Sequence, residues 1–341
     1  MSTSDHARFM ATALQEARRG LGLTSPNPAV GAVLALQNRV VAYGYHRGAG
    51  FAHAEVDCLE KVKGALPRNA TLYVTLEPCS TRGRTAPCVD YIMARGVRRI
   101  VIGAIDPNPR HAGRAIGLLR ESGVKVTTGI LQKECQQLNE GFNKWITSGM
   151  PFVLVKCAMT LDGRLTRPPE EPRWITSAAA RAHAGRLRGE VDAVLVGAET
   201  VRQDNPRLTI RRGTGEMRQP WRVILTRTKR FPRRTRVLTG AGADRTLLLQ
   251  GRSFRAVLQD LGRKEITSVL VEGGGTILSA ALEERLIDKV QIYFAPLFTS
   301  AKVLAFAGKG VGSTAEALRL RDVSYERVGS DVCLTGYTSP P

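Results

Sequence analysis

The chain of 341 residues is long enough for two domains of ordinary size. Its 43% hydrophobic and 23% charged residues are typical of a globular protein, and no run of about 18 apolar residues could cross a membrane. A net charge of +20 is typical of a protein that binds nucleic acid or phosphorylated small molecules. The charge alone does not distinguish between these two classes of ligand. The first ten residues lack the apolar core of a secretory signal, so we expect a cytoplasmic protein, with free thiols at its six irregularly spaced cysteines.

The first half of the chain alternates helical and strand patterns. Apolar residues at helical spacing predict helices at 9–19, 53–62, 88–94, 114–121 and 132–146. Short apolar runs predict strands at 29–36, 40–43, 72–76, 99–104 and 125–128, the first two joined as a hairpin around Asn38. This alternation predicts an α/β domain, which we end at the segment Ser148-Gly149-Met150-Pro151. The first domain is therefore expected to span residues 1–148.

The second half begins again with an apolar strand pattern at 152–158. Further strands are predicted at 193–196, 222–225, 246–249, 268–271 and 290–294, with helical segments between several of them. Residues 149–341 are therefore expected to form a second α/β domain.

One group of residues in the first half has the chemistry of a zinc site. His53, Cys79 and Cys88 provide three ligands and leave the fourth tetrahedral position of Zn²⁺ to water, as in a catalytic site. Glu55 follows His53 by two residues and is expected to carry a proton from that water to a departing amine. The His-x-Glu and Pro-Cys elements are typical of zinc-dependent nucleobase deaminases. The sequence therefore predicts one catalytic zinc ion in this domain.

The number of residues between the two cysteines indicates which group of zinc deaminases the chain resembles. Cytidine and tRNA adenosine deaminases separate these cysteines by only two residues, whereas residues 80–87 form a longer insert here. With Asn27-Pro28 and Asp106-Pro107-Asn108-Pro109, this insert resembles that of the bifunctional deaminase-reductases of riboflavin biosynthesis, and the resemblance runs from about residue 9 to 336. It implies a cytidine-deaminase-like three-layer domain that hydrolytically deaminates 2,5-diamino-6-ribosylamino-4(3H)-pyrimidinone 5′-phosphate.

The resemblance also implies a set of deaminase substrate residues. The positions that match are Asn27, His46, Arg84, Asp106 and Asn108. Arg84 suits a phosphate by its fork geometry. The two asparagines precede prolines, so turn formation is an alternative explanation for them. Thr81 stands where the family usually has a histidine.

Three motifs in the second half resemble the reductase domain of the same enzymes. They lie at residues 156–163, 197–208 and 271–276, and the last is a glycine-rich turn between a strand and a helix, which lets the backbone approach a phosphate. The dinucleotide fingerprint Gly-x-Gly-x-x-Gly is missing, so a Rossmann domain is not expected. The resemblance implies a dihydrofolate-reductase-like α/β fold and NADPH-dependent reduction of the ribosyl group to ribityl.

The same resemblance implies which residues bind the reductase ligands. NADPH is expected at Ala158, Trp174, Thr176, Thr200, Asp204, Gly273, Gly274, Gly275 and Thr276. The substrate is expected at Arg188, Leu208, Arg211 and Glu272. Packing in the core is the alternative for Leu208 and Trp174, and a charge on a helix surface is the alternative for Arg188.

Two alternative functions remain open from the sequence. Pro172, Thr226 and Arg227 differ from the residues usual in the family, which allows an active deaminase with an inactive or repurposed reductase. The high positive charge favours a deaminase that acts on nucleic acid, although the reductase motifs argue against it. We expect a phosphorylated pyrimidine as the partner, with no nucleic acid and no membrane, and a homodimer or homotetramer from the resemblance.

Overall fold

The structure is a computed structural model in which the chain forms two compact units, Met1–Ser148 and Gly149–Pro341. It describes residues 3–81, 86–165, 174–210, 218–228, 230–308, 310 and 312–338. None of the helices in these ranges is both long and apolar enough to span a membrane.

The first unit is built on a five-stranded sheet with helices on both faces. Its elements are α1 (Thr3–Arg18), β1 (Gly31–Leu36), β2 (Arg39–Tyr45), α2 (Ala54–Glu60), β3 (Ala70–Leu76), α3 (Cys88–Ala94), β4 (Arg99–Ala104), α4 (Arg114–Glu121), β5 (Lys125–Thr128), α5 (Gln132–Leu138) and α6 (Glu140–Ser148). The strand order is β2-β1-β3-β4-β5. β1 is antiparallel to both β2 and β3, whereas β3, β4 and β5 are parallel.

Two hydrophobic clusters cover the faces of this sheet. One packs α1 and α5 against residues such as Val33 and Tyr73, and the other packs α2, α3 and α4 against residues such as Leu34 and Val74. Every residue of β3 is buried, as expected for a central strand covered on both sides. The α/β class and the three-layer arrangement are thus confirmed. Because β3 and β4 are parallel, the loops that follow them begin at the same edge of the sheet.

The helix predicted at 132–146 is wrong in one respect, because the structure has two helices that meet at Asn139. The Asn139 side chain accepts a hydrogen bond from Ala29 N (2.8 Å) and donates one to Ala29 O (2.9 Å). This reciprocal pair holds Asn139 outside helical geometry, at φ −118° and ψ 28°. Because Ala29 is 110 positions away in the chain, the spacing of apolar residues around Asn139 does not reveal this contact.

The second unit is built on an eight-stranded sheet. Its elements are β6 (Phe152–Thr160), α7 (Ala178–Arg186), β7 (Ala193–Gly197), α8 (Ala198–Asp204), β8 (Trp221–Thr226), α9 (Arg236–Thr239), β9 (Thr246–Gln250), α10 (Phe254–Arg263), β10 (Ser268–Val271), α11 (Gly275–Glu283), β11 (Lys289–Ala295), β12 (Arg321–Val328) and β13 (Asp331–Tyr337). The strand order is β12-β13-β11-β6-β10-β7-β8-β9. β11, β6, β10, β7, β8 and β9 run parallel, and β13 and β12 complete the sheet as antiparallel strands.

Both faces of this sheet are also covered. α10 and α11 pack on one face, and α8 packs on the other. The predicted strands of this unit are present, but the hairpin of β12 and β13 was not predicted. Seven of the eight β12 residues are exposed, so this edge strand lacks the alternation that marks a half-buried strand.

Two candidate active sites

The three predicted zinc ligands lie together at the edge of the first sheet. The donor atoms of His53, Cys79 and Cys88 lie within 4.8 Å of one another, and no other group of this kind occurs among the described residues. His53 Nδ1 is 3.1 Å from Cys88 Sγ and 3.6 Å from Cys79 Sγ. Tetrahedral zinc with its usual bond lengths separates a nitrogen from a sulfur ligand by about 3.6 Å. The donor set and its spacing therefore fit zinc.

Three different elements position these ligands. His53 directly precedes α2, Cys79 follows β3 after Glu77-Pro78, and Cys88 is the first residue of α3. The backbone of α3 reaches towards Cys79, because Cys88 N donates to Cys79 Sγ (3.2 Å) and Val89 N donates to Cys79 O (3.3 Å). The start of α3 therefore fixes two of the three ligands relative to each other.

The surroundings of the thiols favour a thiolate ligand. A hydrogen bond from Cys88 lowers the pKa of Cys79 to about 4. The same hydrogen bond, together with burial, raises the pKa of Cys88. Thiolate, rather than thiol, is the form that binds metal.

Glu55 lies on the first turn of α2, beside the zinc ligands. Its side chain is 3% exposed and hydrogen bonds with Cys88. Burial raises the pKa of Glu55. A buried carboxyl group with a raised pKa beside a metal site has the properties of a general acid and base.

Asn27 and His46 form a pair near these ligands. The His46 ring is 2% exposed, and its centroid lies 5.0 Å from that of His53. Its Nδ1 lies 3.1 Å from Ala52 O, which can only accept, so Nδ1 carries a proton. Burial lowers the pKa of His46 and favours the neutral ring, whose Nε2 then accepts from the Asn27 side-chain amide at 3.1 Å. His46 thereby orients the Asn27 side chain.

Asp106 and Asn108 lie on the loop that follows β4. Asp106 is 7% exposed, and burial raises its pKa. Asp106 Oδ1 accepts from Asn108 N at 2.9 Å, and Asn108 Oδ1 accepts from Arg110 N at 3.1 Å. Both side chains therefore also form local turns, the alternative that the sequence allowed for Asn108. Arg84 lies outside the described residues.

Sequence reasoning missed two residues of this region. The His111 ring nitrogens lie 3.5 Å from the Ser80 hydroxyl and 3.4 Å from the Thr81 hydroxyl. Glu77, next to the Pro-Cys element, is 3% exposed and holds the same loop through backbone hydrogen bonds. The closeness of Glu77 to Cys79 in the sequence could have marked Glu77 as a residue of the site. Nothing in the sequence indicates that His111 lies near Thr81.

The candidate NADPH residues collect at the carboxyl edge of the second sheet. Ala158 lies near the end of β6, Thr200 lies on α8 directly after β7, and Gly273–Thr276 follow β10 at the start of α11. Because these strands are parallel neighbours, their carboxyl ends open on the same edge, where α/β sheets bind ligands.

The glycine turn is packed too closely for side chains. A Cβ on Gly275 would lie 2.3 Å from Leu304 O, and a Cβ on Gly273 would lie 2.7 Å from the Ile277 side chain. A Cβ on Gly274 would meet only Thr200 Oγ1, at 3.6 Å. The first backbone N–H groups of α11 have no partner within the helix and can receive a phosphate. This cradle fits the diphosphate of NADPH.

The remaining candidate cofactor residues all precede this cradle in the chain. Trp174 is 47% exposed, with the Arg181 guanidinium 5.0 Å from its ring centroid, so it is not a core residue. Thr176 is buried, and its carbonyl accepts from Arg181. Asp204 is the last residue of α8 and is exposed.

The candidate substrate residues Arg188 and Glu272 bind each other. Arg188 Nε and Nη2 donate to the two Glu272 oxygens, each at 2.7 Å, and Arg188 Nη1 donates to Thr209 O at 3.1 Å. Both side chains are 14% exposed, so Arg188 is not a charge on a helix surface. Leu208 is 2% exposed and packs in a hydrophobic cluster of the second unit, which agrees with the core-packing alternative. Arg211 lies outside the described residues.

The departures from the family pattern near the cofactor have different environments. The Thr226 hydroxyl donates to Thr228 O and accepts from Thr228 N, so it serves the turn that ends β8. Arg227 is exposed. Pro172 lies outside the described residues.

Known families match both units. The family described as "Cytidine and deoxycytidylate deaminase zinc-binding region" matches residues 3–104, and the "RibD C-terminal domain" matches residues 151–334. The riboflavin biosynthesis protein RibD of Aquifex aeolicus is 37% identical over 96% of each chain, and that of Escherichia coli is 36% identical over 96% of this chain and 97% of its own.

Solved structures agree over nearly the full length. Acinetobacter baumannii RibD superimposes with a TM-score of 0.89 at 34% identity, covering 98% of this chain and 99% of the other. The diaminohydroxyphosphoribosylaminopyrimidine deaminase/5-amino-6-(5-phosphoribosylamino)uracil reductase of Thermotoga maritima gives 0.86 at 32% identity, with the same coverage. With the zinc donor set and the glycine cradle in place, the chain belongs to the RibD family of bifunctional riboflavin biosynthesis enzymes, which combine a zinc-dependent deaminase with an NADPH-dependent reductase.

Proposed function

We propose that the first unit deaminates 2,5-diamino-6-ribosylamino-4(3H)-pyrimidinone 5′-phosphate and that the second unit reduces the ribosyl group of the product to ribityl. The observation that carries this proposal is the joint presence of the His53, Cys79 and Cys88 donor set and the glycine cradle at Gly273–Thr276. The name of the Thermotoga maritima relative describes the same pair of reactions for that protein.

In the deaminase unit we assign the zinc to His53, Cys79 and Cys88. Bound zinc supplies a Lewis acid that makes water a nucleophile near neutral pH. Glu55 takes a proton from the attacking water and passes it to the ring amine, which leaves as ammonia while oxygen takes its place. Its burial beside Cys88 supports this role, because a carboxyl group with a raised pKa both accepts and returns a proton.

We assign the pyrimidine and its phosphate to residues on the loops around the zinc ligands. The Asn27 amide, held by His46, can hydrogen bond with the ring, and Asp106 and Asn108 lie on the loop after β4 at the same sheet edge. Arg84 remains a candidate for the phosphate from its sequence position alone.

In the reductase unit we assign NADPH to the carboxyl edge of the second sheet. Gly273–Thr276 would hold the diphosphate, and the rest of the cofactor would be lined by Ala158, Trp174, Thr176, Thr200 and Asp204. NADPH would supply a hydride to C1′ of the ribose; the bond between C1′ and the ring oxygen breaks and that oxygen takes a proton from solvent, which opens the ring to ribityl. The protein's part is to hold donor and acceptor in contact. The Arg188–Glu272 pair, Leu208 and Arg211 are assigned to the substrate.

We infer that the protein is a homodimer or homotetramer joined through its second unit. β12 ends the eight-stranded sheet with an open edge, and Tyr325 on it is 72% exposed, Val323 40% exposed and the neighbouring Val332 42% exposed. Exposed edge strands with apolar side chains are pairing surfaces. Light scattering on the purified protein should give a mass at least twice that of the chain, and Tyr325→Lys should lower it.

We also infer a small-molecule enzyme of the cytoplasm that does not act on nucleic acid. The +20 charge is spread over both units and suits two phosphorylated ligands. All six cysteines are free, as is typical of proteins in a reducing compartment. Salt-dependent binding of RNA or DNA together with deamination of a polynucleotide would overturn this inference.

The test is a coupled assay on the zinc-loaded protein with the diaminopyrimidinone substrate, in which ammonia release and NADPH absorbance are followed together. The proposal expects one NADPH consumed for each ammonia released. Ammonia without NADPH oxidation would favour the alternative of a repurposed reductase, for which the Thr226 hydroxyl engaged in its own turn is the supporting observation. Absence of both signals would overturn the proposal.

A further inference from the structure

Glu77 is a buried carboxylate beside the zinc site with no part in the reaction described above. It follows β3 and comes two residues before Cys79, and its backbone N–H donates to Ala104 O at the end of β4 (2.9 Å). Its side chain is 3% exposed. A buried carboxylate needs hydrogen-bond donors or a cation to offset its lost hydration.

The partners of the Glu77 carboxylate are four backbone N–H groups. Oε2 accepts from Asp106 N (3.3 Å) and Gly113 N (2.9 Å). Oε1 accepts from Ala115 N (3.0 Å) and Ile116 N (3.4 Å), in the first turn of α4. The residue preceding α4 is Gly113, which has φ 76° and no side chain to cap the helix. Glu77 therefore caps α4 from another part of the chain and meets the positive end of its dipole.

The two N–H groups bound by Oε2 are the two ends of one loop. That loop, residues 106–113, carries Asp106, Asn108 and His111. Between its ends the loop is held by local bonds, including His111 N and Ala112 N to Asn108 O, at 2.8 and 3.0 Å. One oxygen atom thus closes the loop on itself, and the other fixes it to α4.

The covalent neighbours of Glu77 make this anchor relevant to the reaction. Because Cys79 is only two residues away, the backbone that carries a zinc ligand also carries the group that holds the loop. We propose that Glu77 is a positioning residue of the deaminase, which fixes Asp106, Asn108 and His111 relative to the zinc ligands. The inference rests on the proposed function insofar as this loop binds the pyrimidine substrate.

The test is Glu77→Gln in the full-length, zinc-loaded protein. Glutamine has the same shape but a single acceptor oxygen, so one of the two N–H pairs loses its acceptor in either orientation of the amide. We expect kcat/KM for ammonia release to fall by at least about tenfold, mainly through a higher KM, with an unchanged zinc-to-protein ratio. NADPH oxidation with the deaminated pyrimidine should stay at the wild-type rate.

A merely structural role gives a different result. If Glu77 only stabilised the domain, the variant would lose zinc and maximal rate together, in proportion to the unfolded fraction, and the KM of the remaining enzyme would not change. That outcome would overturn the proposal. Glu284→Gln is the matched control, because Glu284 accepts from Phe254 N (3.2 Å) and Arg255 N (3.1 Å) at the start of α10 in the other unit. It should leave the deaminase KM unchanged.

If the Glu77→Gln variant does not fold, hydrogen exchange on the wild-type protein tests whether Glu77 holds the loop. The amides of Asp106 and Gly113 should exchange at least about tenfold more slowly than in an unstructured peptide, because Glu77 holds them. Exchange at the unstructured rate would overturn the anchor. A wild type that releases no ammonia from the pyrimidine would refute the proposed substrate, whereas an active wild type with unchanged KM in Glu77→Gln would refute the role of Glu77.

Discussion

The Arg188–Glu272 pair should be the most sensitive point of the second unit. Glu272→Gln keeps the shape of the side chain but removes its charge, so Arg188 can retain one of its two 2.7 Å bonds and loses the other. The lost charge-assisted hydrogen bond is worth about 1.5–3 kcal/mol. The guanidinium is left without its counter-charge at 14% exposure, and breaking a buried pair in this way costs about 3–5 kcal/mol in all. We take about 3 kcal/mol as the expected loss, because glutamine retains one acceptor.

Calorimetry of the full-length protein measures this loss. In a unit of this size each kcal/mol lowers Tm by about 2–4 °C, so the transition of the second unit should fall by about 6–12 °C. NADPH identifies that transition, because the ligand raises the Tm of the unit that binds it. The transition of the first unit should not move.

A double-mutant cycle separates the pair from its surroundings. Arg188→Met removes the charge from the other side, and the double variant Arg188→Met/Glu272→Gln has no unpaired charge. We expect the double variant to be more stable than the sum of the single losses predicts, by at least about 2 kcal/mol. Losses that add within about 0.5 kcal/mol would refute the reasoning, since independent sites behave in that way.

Three further predictions concern the two active sites. Glu55→Gln should keep its zinc, measured by atomic absorption, and lose at least about 100-fold in the rate of ammonia release; an active variant would contradict the proton-transfer role. Removal of zinc with a chelator should abolish ammonia release reversibly and leave NADPH oxidation with the deaminated pyrimidine intact, and loss of both would mean that zinc supports the whole chain. Gly275→Ala should destabilise the second unit by about 1–3 kcal/mol, because the new Cβ would lie 2.3 Å from Leu304 O. Gly274→Ala, at φ −72° with its nearest neighbour at 3.6 Å, should leave Tm unchanged, and an equal drop in both variants would contradict the packing argument.

The sequence predicted the parts of the site that depend on chemistry and local order. His53, Cys79 and Cys88 are typical zinc ligands in this order and context, and Glu55 lies only two residues from His53, so the motifs alone proposed all four as one site. The inner parallel strands, such as β3 and β7, were recognisable because they are buried on both faces and read as continuous apolar runs.

What the sequence could not predict depends on contacts between distant residues. The break at Asn139 comes from its bonds to Ala29, and the anchoring role of Glu77 comes from N–H groups about 30 to 40 residues away. β12 was not predicted because an exposed edge strand lacks the alternation of apolar and polar residues that marks a half-buried strand. Predicting β12 would have required knowing that it pairs with β13.

The separation of the two cores has a consequence for how the two activities can change over time. Each hydrophobic cluster lies within a single unit, those around β3 and α1 in the first and those around β6 and α7 in the second. A substitution that destabilises one core is therefore expected to lower the activity of that unit and to leave the other activity unchanged. Natural selection can tune the deaminase and the reductase as separate traits, although one gene encodes both.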